Sequence, residues 1–253
     1  SGFPPVITGV KVQSIQYGQT ATIYLGGNDL RSSLLVESEG ACLNPTFGAA
    51  SSTSMLVLNC TVTKTGNFVL TIKSAEGQVL NTTSISVPKP KVMLITSLGS
   101  VTLELEPELA PISVNNFLAY VGKSYYSNTL FHRVIPGFVV QGGGYTTGLV
   151  KKTGQLSPIV LESNKGLLNV RGTLAMARTN VFNSATSEFF VNLVDNTFLD
   201  YRNAANPGYA VFGRVVQGMD VVDLIASKPT GVFNGFSDVP LADVLVNLAV
   251  QVK

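Results

Sequence analysis

A guanidinium is an awkward group to place among β-branched and aromatic residues, yet the run Phe131-His132-Arg133-Val134-Ile135-Pro136-Gly137-Phe138-Val139-Val140-Gln141-Gly142-Gly143 does so. Val, Ile and Phe favour strands and Pro136-Gly137 is a turn signal. The run is therefore expected to form two strands that fold Arg133 back toward Phe138 and Gln141. Arg133 then needs polar partners or a ligand, because an unpaired buried charge is strongly destabilising.

The chain is long enough to carry a second body beside the one built on this run. Its 253 residues are 45% hydrophobic, sufficient for an ordinary core. Charged residues make up 13% and the net charge is +2, so neither a nucleic-acid footprint nor a polyanionic tail is visible. No apolar run approaches the length of a membrane span, and Ser1-Gly2 does not begin a signal peptide. A soluble, mature form is expected.

Residues 1–87 differ in texture from the rest. Residues 20–25, 55–62 and 67–73 are short β-favouring runs separated by Gly, Asn and Ser turns, and Glu76-Gly77 marks a hairpin before Val79-Leu80. This pattern predicts a small β-sandwich, and the segment resembles a bacterial immunoglobulin-like domain. Pro88-Lys89-Pro90 reads as a stiff linker over 88–90, since each proline fixes φ and biases its predecessor toward extended backbone. Cys42 and Cys60 are the only cysteines. Paired, they would close a loop of about 18 residues and stabilise the fold by about 3 kcal/mol. Two buried thiols are the alternative, the disulfide is preferred, and a metal site is disfavoured by the absence of a nearby His. Asn59-Cys60-Thr61 and Asn81-Thr82-Thr83 match a glycosylation pattern without further support.

After the linker, residues 92–96 and 101–105 flank Ser97-Leu98-Gly99-Ser100 as a hairpin. Pro111 suits a first helical position, and Val114, Phe117, Leu118 and Val121 give one apolar face before Gly122. A shorter helix is expected over residues 219–226.

Further blocks follow in order: residues 172–178 (GTLAMAR), 183–192 (NSATSEFFVN), Phe198-Leu199-Asp200 and residues 209–216 (YAVFGRVV). With residues 131–143, these blocks resemble the signature of the cyclophilin-type peptidyl-prolyl cis-trans isomerases, over residues 91–253. Linked blocks are far more specific than one motif. The resemblance implies a mainly β chain: the immunoglobulin-like sandwich, then a closed antiparallel eight-stranded β-barrel capped by two helices. It also implies the bacterial, periplasmic-like branch and a periplasmic or secreted location. Phe198 and Tyr209 stand where many eukaryotic members carry Trp and His, so at most weak binding of a cyclosporin-type inhibitor is expected. The implied partners are X-Pro-containing polypeptides, bound by a monomer without cofactor, metal or nucleic acid.

The chemistry of such a site follows from the X-Pro bond. Its cis and trans forms lie within about 0.5–1 kcal/mol of each other, while a barrier of about 18–20 kcal/mol separates them. At the top of the barrier the amide is twisted and the prolyl nitrogen carries a localised lone pair. A fixed donor aimed at that nitrogen lowers the barrier selectively. Arg133 suits this role, being always protonated and rigid. The resemblance assigns Phe138 and Gln141 to the catalytic set with Arg133. Val139, Phe190 and Leu199 would join Phe138 around the proline ring, Ala177 and Arg178 would meet substrate backbone, and Phe198 and Tyr209 would complete the lining.

Glu188 occupies a position where the family usually has Gln. It is expected to reach the polar lining near Arg133, where an ionised carboxylate would either draw the guanidinium toward itself or orient it. His132, the single His of the chain, is expected to be a hydrogen-bonded core residue. Gly142-Gly143-Gly144 lacks the spacing of a phosphate loop and points to close backbone packing. The functional class that competes with an isomerase is a non-catalytic proline-peptide-binding or chaperone module, with partners held by the N-terminal domain.

Overall fold

Alternation of buried and exposed residues shapes the first strands. The computed structural model describes residues 2–13 and 15–253, in two compact units, one ending at Lys89 and one spanning Pro90–Val252. In the first unit β1 (Val6–Val12), β2 (Thr20–Asn28), β5 (Met55–Val62) and β4 (Cys42–Phe47) lie side by side in the order β1-β2-β5-β4. A second antiparallel sheet holds β3 (Leu35–Glu37), β6 (Gly66–Lys73) and β7 (Val79–Val87). Ile23 and Leu25 of β2, Leu56 and Leu58 of β5, Leu70 and Ile72 of β6, and Ile85 and Val87 of β7 are buried, so each sheet gives one face to the core.

Gly77 has φ 91° in the β6–β7 turn, a left-handed value that a side chain would resist. Cys42 and Cys60 form a disulfide with Cα atoms 5.2 Å apart. They lie on β4 and β5, neighbours in one sheet, so the bond staples adjacent strands.

The second unit contains β8 (Lys91–Thr96), β9 (Gly99–Leu105), α1 (Pro111–Gly122), β10 (Thr129–Leu130), β11 (Arg133–Ile135) and β12 (Val139–Gly142). The chain continues through β13 (Tyr145–Thr146), β14 (Val150–Lys151), β15 (Thr173–Met176), β16 (Phe189–Asn192) and β17 (Val211–Gln217). It ends with α2 (Met219–Ala226), β18 (Thr230–Phe233), β19 (Phe236–Pro240) and β20 (Leu245–Gln251). Nine of these strands form one curled sheet, in the order β10-β20-β8-β9-β17-β15-β16-β12-β11. The remaining pairs, β13-β14 and β18-β19, are separate hairpins.

The count of nine, where eight strands are expected, traces to one interruption. Residues 129–135 are interrupted at Phe131-His132, so β10 pairs with β20 while β11 pairs with β12. The two sheet edges are thus consecutive in the chain, and Gly143 N donates to Leu130 O at 3.4 Å. The first hairpin is also tighter than its sequence suggests. Thr96 faces Gly99 directly, because Thr96 Oγ1 donates to Gly99 O (2.6 Å) and accepts from Leu98 N (3.1 Å), leaving a turn of Ser97 and Leu98.

Helix α1 runs from Pro111 to Gly122 as its capping signals predict. Its free N–H groups meet Glu162, which accepts from Ile112 N (3.3 Å) and Ser113 N (2.5 Å). A carboxylate at that end also complements the helix dipole. Phe117 of α1 packs against Phe189, Phe212 and Tyr126, with ring centroids 5.6, 5.3 and 5.2 Å away. Among the described residues no helix is long and apolar enough to cross a membrane.

The disulfide is expected to carry much of the first unit's stability. Reduction should lower its unfolding free energy by about 3 kcal/mol, the loop-closure value for this span. Urea unfolding followed by tyrosine fluorescence, with and without dithiothreitol, checks this. An unchanged midpoint would mean that the two sheets hold without the staple.

Candidate active site

One lateral row of the large sheet builds the site. Register places Arg133 opposite Gln141, Gln141 opposite Phe190, Phe190 opposite Ala175 and Ala175 opposite Val211. Because successive strand residues point to opposite faces, Phe189 turns into the aromatic core under α1 while Phe190 turns to the other side. There Val139, Ala175, Ala177, Phe190, Leu199 and Val211 pack as one buried cluster, with Phe138 and Tyr209 against it. Two alanines in this cluster, Ala175 and Ala177, leave room where larger side chains would fill the space.

The space is a cavity of about 310 Å³. Arg133, Phe138 and Gln141 line it, as do Val139, Phe190 and Leu199 of its apolar wall. Ala177, Arg178, Phe198 and Tyr209 complete the lining. Ten of the residues singled out in sequence thus surround one cavity. Phe198 lies on a single 3-10 turn, Thr197–Leu199, and stacks on Phe138 at 5.7 Å while 59% exposed, so it forms rim rather than floor.

Arg133 is held from two sides. Its Nη1 donates to Gln141 Oε1 at 3.2 Å, and its guanidinium carbon lies 5.9 Å from the centroid of the Phe138 ring. Gln141 in turn donates from Nε2 to Glu188 Oε1 at 3.2 Å. Arginine only donates and an ionised carboxylate only accepts, so these two neighbours fix which end of the Gln141 amide faces which.

Glu188 departs from its expected place. It is outside the cavity lining and reaches Arg133 only through Gln141. Its other partner is His132, whose Nε2 donates to Oε1 at 3.1 Å. The cause is steric as well as electrostatic: a Cβ on Gly144 would come within 2.6 Å of Glu188 Cγ, so only glycine there lets the side chain lie back toward His132. Burial would raise the Glu188 carboxyl, but its hydrogen bonds with His132 and Gln141 and the charge of Lys151 outweigh this and hold it below its ordinary 4.5. His132 is buried and hydrogen-bonded, as its sequence setting suggests, although its Nδ1 has no partner.

The supporting shell contains three residues that sequence reading passed over. Asn196 Nδ2 donates to Phe138 O (3.0 Å) and Asn192 Oδ1 (2.9 Å). Asn192 Nδ2 donates to Asn169 Oδ1 (3.1 Å), and Asn169 Nδ2 donates to Leu199 O (3.1 Å) and Tyr209 O (3.4 Å). This buried chain ties together the backbones of three cavity walls. The available signal is Asn192 at the end of an otherwise apolar strand, a residue type that strands disfavour.

The arrangement offers a preorganised cationic donor beside a small apolar cavity, with no nucleophile needed. Among the described residues no cluster of His, Cys, Asp and Glu could hold a metal. Residues 91–250 match the family model described as cyclophilin type peptidyl-prolyl cis-trans isomerase/CLD. The chain is 48% identical over 162 residues to a peptidyl-prolyl cis-trans isomerase of Acinetobacter baylyi, covering 64% of this chain and 85% of that protein. It is 47% identical over 153 residues to peptidyl-prolyl cis-trans isomerase B of Escherichia coli, covering 60% and 93%. A cyclophilin type peptidyl-prolyl cis-trans isomerase of Cryptosporidium parvum, solved in the presence of the dipeptide Ala-Pro, superposes with a TM-score of 0.53 at 25% identity. That match covers 64% of this chain and 99% of the solved one.

The Glu188 shift has a direction that stability can report. Since the folded carboxyl sits below 4.5, its contribution is fully present above that pH and is lost as pH falls through the folded value. Glu188→Gln, which keeps an acceptor for His132 and Gln141, should flatten this acid limb. Glu188→Leu should cost about 1–3 kcal/mol at neutral pH by stranding two donors. Urea unfolding between neutral pH and pH 3 measures both, and an unaltered acid limb in Glu188→Gln would mean that the carboxyl titrates as in the unfolded chain.

Proposed function

This chain belongs to the cyclophilin-type peptidyl-prolyl cis-trans isomerases, and on that premise we propose that Arg133 is the donor with which it accelerates rotation about X-Pro bonds in folding polypeptides. The observation that carries the assignment is the anchoring of Arg133 between Gln141 and Phe138 at the mouth of the apolar cavity. The proline ring occupies the cavity against Phe138, Val139, Phe190 and Leu199. An apolar surround disfavours the charge-separated planar amide, and Arg133 offers N–H to the prolyl nitrogen as the amide twists. Gln141 holds the guanidinium so that little reorganisation is needed at the barrier. The reaction makes and breaks no covalent bond and needs no cofactor.

The finer assignments are part of the same reading. The first unit is taken as immunoglobulin-like, on the support of its four- and three-stranded sheets. The second is taken as a closed eight-stranded barrel in which β10 and β11 are halves of one broken strand; their adjacency in the chain supports this. The disulfide supports a periplasmic or secreted location, where such bonds persist, and a role assisting the folding of proteins there. A monomer with weak affinity for cyclosporin-type inhibitors fits Phe198 and Tyr209 at the rim.

Arg133→Ala should lose about 2.7–4 kcal/mol of transition-state stabilisation, or roughly 10²–10³ in rate, while still binding X-Pro peptides. Arg133→Lys should also be poor, since an ammonium lacks the planar fork. A protease-coupled assay on a short X-Pro peptide measures this, and near-normal turnover would remove Arg133 from the mechanism.

Residues 90–253 alone should be active, because every cavity residue lies within the second unit. Should this fragment fold by circular dichroism yet fail to accelerate isomerisation that the full chain accelerates, the site must draw on the first unit.

A further inference from the structure

Arg178, Phe198 and Tyr209 line two spaces, the cavity of Arg133 and an adjoining open cleft of about 450 Å³. The cleft is further lined by Asn180, Phe182 and Arg202. Arg178 is preorganised there. Its Nε and Nη2 donate to Gly208 O (3.2 and 2.8 Å), and its Nη1 donates to Thr179 O (2.9 Å). The rings of Tyr209 and Phe182 lie 4.5 and 5.3 Å from its guanidinium carbon. Carbonyls and rings satisfy the guanidinium without cancelling its charge.

Arg202 supplies a second cation. Among the described residues its side chain has neither hydrogen bond nor ion pair, and it is exposed. The loop beneath it is nonetheless fixed, with Arg202 N donating to Asn206 O (3.1 Å) and Asn203 Oδ1 accepting from Ala205 N (3.0 Å) and Asn206 N (2.9 Å). Asp200 also lines the cleft, but its Oδ1 accepts from Asn169 N (2.6 Å) and Asn169 Nδ2 (3.1 Å), and it forms no ion pair with either arginine. The cleft therefore presents two guanidinium groups without an ion-pair partner against one carboxylate, a net positive charge, beside exposed Phe182 and Phe198.

We propose that this cleft is a specificity subsite for acidic side chains flanking the X-Pro bond, read by Arg178 and Arg202. The inference rests on the reading that the Arg133 cavity seats the proline. An extended chain advances about 3.3 Å per residue, so an Asp or Glu within a few residues of the proline reaches the cleft. Its carboxylate meets the two guanidinium groups and its stem lies on the aromatic rim. Both cations also favour the approach of acidic segments.

The test uses the full chain and X-Pro peptides carrying Glu, Gln or Lys at each of three positions on either side of the X-Pro pair. At one or more positions KM should rise from Glu to Gln to Lys, with a Glu-to-Lys spread of about two- to fivefold, the scale of an exposed ion pair. The spread should shrink in 0.5 M salt as screening shortens to roughly 4 Å. Arg202→Ala should reduce the spread while leaving kcat and KM of the Gln peptide unchanged, and Arg202→Glu should invert it. Equal KM for all three peptides at every position, or a spread undiminished by Arg202→Ala, overturns the proposal. Loss of turnover on the Gln peptides by the wild-type chain would count against the isomerase reading instead, and fluorescence anisotropy of the same peptides would still rank Glu against Lys at the cleft.

Discussion

The hydrogen bond from Arg133 to Gln141 is the contact on which the arrangement of the site depends. A guanidinium has many rotamers, and a donor that wanders gives little selective stabilisation of a twisted amide. Pairing Arg133 with the residue directly opposite it in the ladder turns strand register into side-chain position. The same register then places Phe190, Ala175 and Val211 in line, so one row of backbone hydrogen bonds sets donor, wall and floor together. A slip of one residue would turn all of them to the opposite face.

Close packing behind this row is what keeps the register. Gly142 and Gly143 let backbone and rings approach closely: a Cβ on the first would fall 2.6 Å from Leu130 O, and one on the second 2.9 Å from the rings of Phe189 and Tyr126. The three buried asparagines act on the other wall. They bond carbonyls of Phe138, Leu199 and Tyr209, which belong to loops and turns with no ladder to fix them. Sheet register therefore positions one half of the cavity and a buried amide chain positions the other. Such a chain is favourable only when its members are satisfied, which ties the loops to a single arrangement.

Much of this was legible in the sequence because the informative residues are local. Pro136-Gly137 between β-branched runs predicts the strand pair that brings Arg133 to Gln141, and Pro111 with its apolar face predicts α1. The features that escaped are long-range. Glu162 caps a helix from about 50 residues away, and nothing near Glu162 announces it. The break at Phe131-His132 depends on where β20 and β12 lie, which local propensity does not encode. The departure of Glu188 from Arg133 follows from Gly144 and His132, whose proximity to it is a product of the fold.

The path from His132 through Glu188 and Gln141 to Arg133 also settles how charge is distributed around the cavity. One carboxylate stands near one guanidinium across an intervening amide. The Glu188 carboxylate thus opposes the charge of Arg133 from behind Gln141, while Arg133 keeps the remaining N–H groups that Gln141 does not use. In the proposed reading, discrimination by charge falls to guanidinium groups without an ion-pair partner: Arg178, which lines both the cavity and the cleft, and Arg202, which lines the cleft alone. On that reading the two tasks overlap only at Arg178: Arg133 meets the amide with Gln141 and Glu188 behind it, and Arg202 meets the charge of the chain from outside the cavity.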